Sequence, residues 1–363
     1  MKRSLRIATT GPGGLWAVSA PLGRQDGGMV TMADVARAAG VSKVTVSNVV
    51  LGRPRVGAET RRRVLETIEE LGYEVNLAAR FLRAGRTGAI GLLVPELERP
   101  YFGQLARRLA DRVEQHGLHL AVERTGAVRE RQLRVVATDR VQLYDGVVIS
   151  VTGLTPDDLR RIELGRPAVL IGERDVPAQF DHVQMDNVGG SRLATAHLLA
   201  RGSQHVAIFG GAPSGQHEHD MTSLRTDGYR AALRDAGLPV DEELVVELDE
   251  LGMGAARRAV HDVLAVRPEI DGIVAVTDVV GFGVLRGLAD LGRDVPGDVQ
   301  VIGFDDVDEA EFSVPRLSSV DPDNDAMADA IVDLLLRRVA GEGDPAPQTV
   351  MPAACLVLRE STR

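Results

Sequence analysis

The chain has 363 residues, 44% hydrophobic and 26% charged, a make-up typical of globular proteins and a length that calls for more than one core. Cys355 is its single cysteine, which excludes an intrachain disulfide and fits a reducing cytoplasm, and no apolar run is long enough to span a membrane. The net charge of −10 is unevenly spread. Residues 29–87 carry ten Lys or Arg against six Asp or Glu, residues 1–28 carry four against one, and the acid excess lies wholly downstream. A basic N-terminal module on an acidic body suits a nucleic-acid reader whose bulk is repelled by phosphates.

Residues 1–28 are rich in Gly, Ser, Ala and Pro, show no sustained period, and contain the only tryptophan, Trp16. Lys2, Arg3 and the run Ala17-Val18-Ser19-Ala20 faintly imitate a signal peptide, but Gly11, Pro12, Gly13 and Gly14 break its apolar part. The expectation is a disordered arm, or an extension ahead of a start at Met29. From Thr31 the pattern becomes helical. Thr31 with Asp34 forms a candidate capping box for a helix 32–39, and Gly40 supplies a tight turn. Ser42 caps a second helix, Lys43–Val50. Two short helices around a Gly-containing turn make a helix-turn-helix. Val46, Val49 and Val50 recur at helical spacing as core, leaving Lys43, Val44, Thr45, Ser47 and Asn48 on the other face. That face is either a groove reader or simply solvated. A third helix, Ala58–Leu71, sets Val64, Leu65, Ile68 and Leu71 against the first two, and Asn76–Arg83 is a further short helix candidate.

From residue 88 the chain alternates short continuous apolar runs with amphipathic stretches. Strands are expected at 89–94, 118–122, 146–150, 168–171, 206–209, 245–248, 272–276 and 299–304, and helices at 101–116, 129–141, 187–201, 223–236, 253–265 and 278–291. Continuous apolar runs mark buried parallel strands, and repeated strand–helix units mark parallel sheets flanked by helices.

Over residues 30–42, then Thr45-Val46-Ser47, Glu59-Thr60-Arg61, Leu71-Gly72-Tyr73, Asn76 and Ala79–Arg83, the chain resembles the opening of LacI/GalR-type repressors. The body resembles that family's sensor through Ile90–Pro95, Asp145–Val148, Gly189-Gly190, 202–208, Arg225 with Gly228-Tyr229, and Val295-Pro296 followed by 302–306. The fold implied is an all-α, λ-repressor-like helix-turn-helix (29–75), a hinge helix and linker (76–87), and an α/β two-lobed periplasmic-binding-protein-like domain (88–363), with crossings between lobes near 186–188, 316–321 and 342–350. The resemblance implies base contacts by Lys43, Val44 and Asn48, with Thr31, Ser42, Thr45 and Ser47 at phosphates or supporting the docking. Asn76, Ala79, Leu82 and Arg83 would belong to the DNA-contacting hinge, with Leu82 wedged between base pairs; its plain alternative is a core position of a short helix. Asn48, Leu51 and Gly57 depart from the family's usual Arg, Asn and Ser, so no operator sequence carries over.

The effector is expected in the cleft between lobes, outside the carboxyl ends of strands. By resemblance Tyr101, Phe102, Arg225 and Asp278 fall at ligand positions, while Glu173 and Asp249 occupy positions where other residue types are usual. Tyr101 and Phe102 have packing as an alternative role, and Asp278 has helix capping. His217-Glu218-His219-Asp220 lacks a second ligand cluster and is not read as a metal site. No cofactor is called for. The function implied is a cytoplasmic, homodimeric regulator, a repressor of a catabolic operon, that binds a pseudo-palindromic double-stranded operator and is controlled by a small molecule of the carbohydrate class. A solute receptor is opposed by residues 31–86 and the poor export signal. An enzyme is opposed by the absence of a nucleophile elbow, a phosphate loop or a metal ligand set.

Overall fold

A computed structural model of the chain describes residues 30–50, 54–73, 86–126, 128–136, 139–173, 176–213, 220–344 and 346–363. The expected arm, Leu51 and the hinge candidate 76–84 lie outside these residues. The described residues fall into a head before residue 81 and a body after it.

The head has three helices, α1 (Met32–Ala38), α2 (Lys43–Val50) and α3 (Ala58–Leu71). Asp34 accepts from the backbone N–H and the hydroxyl of Thr31 at 3.1 and 2.6 Å, which fixes the start of α1. Gly40 then takes φ +63°, a conformation cheap only for glycine, and turns the chain into α2. Val35, Val46, Val49 and Val64 are buried together with Ala36 and Ala39. So valines, mediocre helix formers, are held in α2 by tertiary packing. One expectation needs correcting: Leu65 is 50% exposed, and Thr67 takes the buried place on α3, bonding its hydroxyl back to the Arg63 carbonyl at 2.8 Å. Positions 64, 67, 68 and 71 keep helical spacing, whereas 65 points a hundred degrees away from 64.

The body holds two six-stranded sheets. Its first strands and helices are β1 (Ala89–Val94), α4 (Pro100–Gln115), β2 (His119–Arg124), α5 (Arg129–Val136), β3 (Gly146–Ser150), α6 (Pro156–Arg161), β4 (Ala168–Ile171) and β5 (Asp181–Val183). Then come α7 (Asn187–Ala200), β6 (Val206–Phe209), α8 (Met221–Asp235), β7 (Val245–Val246), α9 (Met253–Val266), β8 (Gly272–Ala275), α10 (Asp278–Asp290) and β9 (Gln300–Phe304). β10 (Ser318–Asp321), α11 (Asn324–Ala340), β11 (Thr349–Val350) and β12 (Cys355–Val357) complete it. The sheet orders are β11-β5-β4-β3-β1-β2 and β12-β10-β9-β8-β6-β7, one per lobe. All pairings are parallel except β10 with β12. Leu92, Val148 and Val169 in one sheet, and Ile208, Ile273 and Val301 in the other, are buried, as continuous apolar runs demand.

The chain crosses between lobes three times. The first crossing falls at 184–186, between β5 and α7, close to the expected place. The other two come later than expected, at 322–323 between β10 and α11 and at 351–354 between β11 and β12, because 318–321 is itself a strand of the second sheet and 349–350 a strand of the first. The helix expected over 129–141 ends at Val136, with a 3-10 turn over Asp139–Leu143, and the strand expected over 245–248 keeps only two residues. α6, β5, β10, α11, β11 and β12 were not among the expected elements. α11 packs on α4 and on β3, β4 and β5, and so belongs to the first lobe.

Candidate functional site

Both sheets point the carboxyl ends of their parallel strands at one cavity of about 240 Å³. This is where open α/β sheets bind ligands. The first lobe contributes Glu96, Arg99, Tyr101 and Phe102 after β1, Thr152 after β3 and Glu173 after β4; the second contributes Arg225 on α8, Thr277 and Val279 after β8, and Asp305 and Val307 after β9. Four of the six expected effector residues, Tyr101, Phe102, Glu173 and Arg225, therefore line one space.

The second lobe's wall is a closed network. Arg225 is 2% exposed. Its Nε donates to Asn187 Oδ1 at 2.7 Å, Nη1 to the Val276 carbonyl and to Asp305 Oδ1 at 3.2 Å, and its plane lies 3.5 Å from the centre of the Phe304 ring. Among the described residues Nη2 meets only the thioether of Met185, at 3.3 Å, a weak acceptor, so this nitrogen has capacity for a ligand oxygen. Asp305 sits just past β9 with φ +110°, and Asp306 follows at +49°; two consecutive non-glycine residues in such conformations store strain of the kind found at ligand clamps. Burial pushes the Asp305 carboxyl up to about 6, against the pull of the Arg225 charge.

Asp278 lies under this wall, not in it. It is fully buried, and its carboxylate accepts from the Val307 N–H at 2.8 Å and the Ser319 hydroxyl at 2.6 Å. A Cβ at Gly303 would stand 2.0 Å from Asp278 Oδ1, so only glycine admits the carboxylate there. Burial first, and then the nearby Asp305 charge, raises its pKa well above the usual carboxylate range. Helix capping falls to its neighbour: Thr277 Oγ1 accepts from the Val280 N–H at 3.3 Å. Asp278 thus ties three segments together, while Thr277 and Val279 on either side face the cavity.

The first lobe's wall is apolar and less committed. Tyr101 and Phe102 meet edge to face, 5.2 Å between centroids, half-buried against the core while still lining the cavity, so packing and cavity roles coincide. Glu96 and Arg99 pair at 2.8 Å. Glu173 makes no hydrogen bond or ion pair among the described residues. Asp220 is spoken for, accepting from the Ser223 N–H and the Thr222 hydroxyl at 2.8 Å each to cap α8. Asp249 is exposed and does not line the cavity; Leu251 does. Asp305 was not among the expected site residues, although the strand-end rule applied to Asp278 points equally to the residue after Phe304.

In the head, Ser42 Oγ accepts from the Thr45 N–H at 3.1 Å and lies 2.9 Å from the Thr45 hydroxyl, so these side chains cap α2. Lys43 and Val44 are exposed, and Ser47 and Asn48 are half-buried. Val44 and Asn48 share one helix face. Asn76, Ala79, Leu82 and Arg83 lie outside the described residues, as do His217, Glu218 and His219. Among the described residues no cluster of metal-ligating side chains forms, and no helix is long and apolar enough to cross a membrane.

A helix-turn-helix head whose second helix exposes Lys43 and Val44, on one chain with a two-lobed body built round a polar cleft, is the arrangement of a DNA-binding protein with a ligand-sensing domain. The chain matches the bacterial regulatory proteins of the lacI family over residues 31–76 and the periplasmic binding protein-like domain over 195–362. It is 34% identical over 343 residues to the HTH-type transcriptional regulator CelR of Thermobifida fusca, covering 91% of this chain and 98% of that one. Among solved structures, a LacI-family regulator from Sanguibacter keddieii superposes with a TM-score of 0.70 at 38% identity, covering 76% of this chain and 99% of the other. A complex of the transcriptional regulator CelR with cellobiose superposes with a TM-score of 0.66 at 31% identity, covering 92% and 99%. The chain belongs to the LacI family, and it is a DNA-binding transcriptional regulator with a two-lobed α/β sensor domain.

Proposed function

We propose that this regulator is a repressor of a catabolic operon whose operator affinity is set by a sugar bound between the lobes. The observation that carries the sugar is the composition of the cleft. An aromatic pair, Tyr101 and Phe102, offers a face to the apolar C–H side of a pyranose or furanose ring, the carboxylate of Glu173 accepts from hydroxyls, and Arg225 Nη2 with Asp305 supplies a donor and an acceptor from the opposite wall. Apolar surface with a few convergent polar groups is how small-molecule sites fix orientation. Cellobiose in the CelR complex supports the same ligand class.

The domain reading keeps a head at 29–75, a hinge helix and linker at 76–87 and the sensor at 88–363. Lys43, Val44 and Asn48 face bases, Thr31, Ser42, Thr45 and Ser47 support docking at phosphates, and Asn76, Ala79, Leu82 and Arg83 act in the hinge, with Leu82 as wedge. Arg225, Tyr101, Phe102 and Glu173 touch the effector, while Asp278 braces the floor beneath it. The protein acts as a homodimer on a pseudo-palindromic operator in the cytoplasm and turns over no substrate. Phe312 and Val314, 81% and 93% exposed on adjoining parts of one loop, are the kind of surface a second copy covers.

The test is a thermal-shift screen of the full chain against pentoses, hexoses and disaccharides, followed by operator binding with and without each hit. A sugar that raises Tm and changes operator affinity is expected. A panel without a single stabilising sugar would remove carbohydrate as the class, and steady consumption of a bound sugar would remove the non-enzymatic reading.

A further inference from the structure

The charges around the cleft do not balance. Four carboxylates and two guanidinium groups line the cavity. Glu96 is paired with Arg99 at 2.8 Å, and Asp305 with Arg225 at 3.2 Å. Asp220 is turned to the start of α8, where the Ser223 N–H and the helix dipole offset its charge. Glu173, half-buried past the end of β4, is left without a hydrogen bond or an ion pair among the described residues. Water solvates such a carboxylate while the cleft is open, and a molecule that closes over it strips that water away. A neutral ring would leave the charge poorly compensated, the costly situation of a buried unpaired ion.

Glu173 and Thr152 also line a side pocket of about 50 Å³, joined there by Ser150, which is 3% exposed at the end of β3. Ile171, Met185 and Met327 supply apolar walls. The volume is room for one small substituent and not for a second ring. The hydroxyls of Ser150 and Thr152 lie 3.0 Å apart, so one donates to the other. Glu173 has no hydrogen to donate, which leaves the pocket richer in acceptors than in donors. A ligand hydroxyl brings one donor and is itself an acceptor, whereas a primary ammonium brings three donors, no acceptor and a full positive charge. The ammonium therefore matches the pocket in hydrogen bonding and in charge together. We infer that the effector is an amino sugar whose ammonium group is held in this side pocket by Glu173, Thr152 and Ser150. The inference deepens the sugar reading above and rests on it.

In the experiment the full-length protein is titrated calorimetrically with glucosamine, galactosamine and mannosamine, each beside its parent hexose and its N-acetyl derivative. At least one amine is expected to bind about tenfold more tightly than both of its relatives, the effect of one charge-assisted hydrogen bond. In Glu173→Gln the amine and its parent should bind within about twofold of each other, the scatter of a substitution that removes no contact of the parent. Three amines that bind no more tightly than their parents and N-acetyl forms overturn the proposal, and this comparison needs no variant. A neutral sugar from the thermal-shift screen that binds more tightly than every amine, or an amine preference that survives in Glu173→Gln, overturns it as well. If neither the amines nor any neutral sugar binds, the sugar reading falls instead.

Discussion

The two walls of the cleft solve different problems. On the second lobe, Arg225, Asn187, Asp305 and the Phe304 ring hold one another in a buried network, with Asp278 bracing from below. On the first lobe, Tyr101 and Phe102 give shape, and Glu173 stands without a partner among the described residues. The difference teaches that one wall is held by its own side chains while the other leaves groups uncommitted; under the proposed reading, the first is built before the ligand arrives and the second is completed by it. A preorganised wall should reveal itself in stability, and an open wall in affinity alone.

The largest effect follows from breaking the built wall. Arg225→Ala leaves Asp305, the Asn187 oxygen and the Val276 carbonyl buried without their donor, and should cost the body about 3–5 kcal/mol, read as a lowered denaturation midpoint, together with all response to the effector. A stable Arg225→Ala body would mean the network is not structural.

Next is the pH signature of Asp305. Its folded pKa of about 6 lies above the unfolded value near 4, so its contribution to stability is complete below pH ~4 and is lost as pH rises through 6. Asp305→Asn removes this dependence. The stability difference, variant minus wild type, should grow with pH between 4 and 7 by an amount on the order of 3 kcal/mol. A flat difference would show that Asp305 is not held in its buried, proton-favouring setting.

The open wall predicts the opposite pattern. Glu173→Gln should leave Tm almost unchanged, within about 0.5 kcal/mol of wild type, and weaken effector binding roughly tenfold through a lost charged hydrogen bond. Calorimetric titration checks both. Destabilisation without an affinity loss would reverse the contrast between walls. The smallest effect is assigned to Asp249, exposed and away from the cavity: Asp249→Asn should bind the effector within about twofold of wild type, inside the scatter of surface changes.

Much of this was legible in the residues, and the reasons for the exceptions are physical. The strands at 89–94, 146–150, 168–171 and 206–209 announce themselves because both faces are buried, which forces unbroken apolar runs. β5 and β10 hide because they are polar. Asp181 in β5 is accommodated by the Arg338 guanidinium at 2.7 and 2.9 Å from its two oxygens. Ser318 and Ser319 in β10 are accommodated by Ser361, Thr362 and Asp278. Such partners lie 41–157 residues away, and no local pattern contains them. The same holds in the cleft. Strand ends place Tyr101, Phe102, Glu173 and Arg225 near one another, but whether Asp278 faces the ligand or the floor depends on Val307 and Ser319, and so on loop geometry after β9. Leu65 shows the limit at short range, where two adjacent apolar residues compete for one inward position and helix phase selects Val64.

The central claim is that the cleft controls the head, and one titration tests it. Full-length protein bound to an operator selected from a randomised duplex library is followed by fluorescence anisotropy while the sugar that most raises Tm is added. The account predicts a saturable change in operator affinity for the wild type, with a midpoint displaced roughly tenfold in Glu173→Gln and no change at any sugar concentration in Arg225→Ala. Operator binding that ignores a sugar demonstrably bound in the wild-type cleft would contradict it.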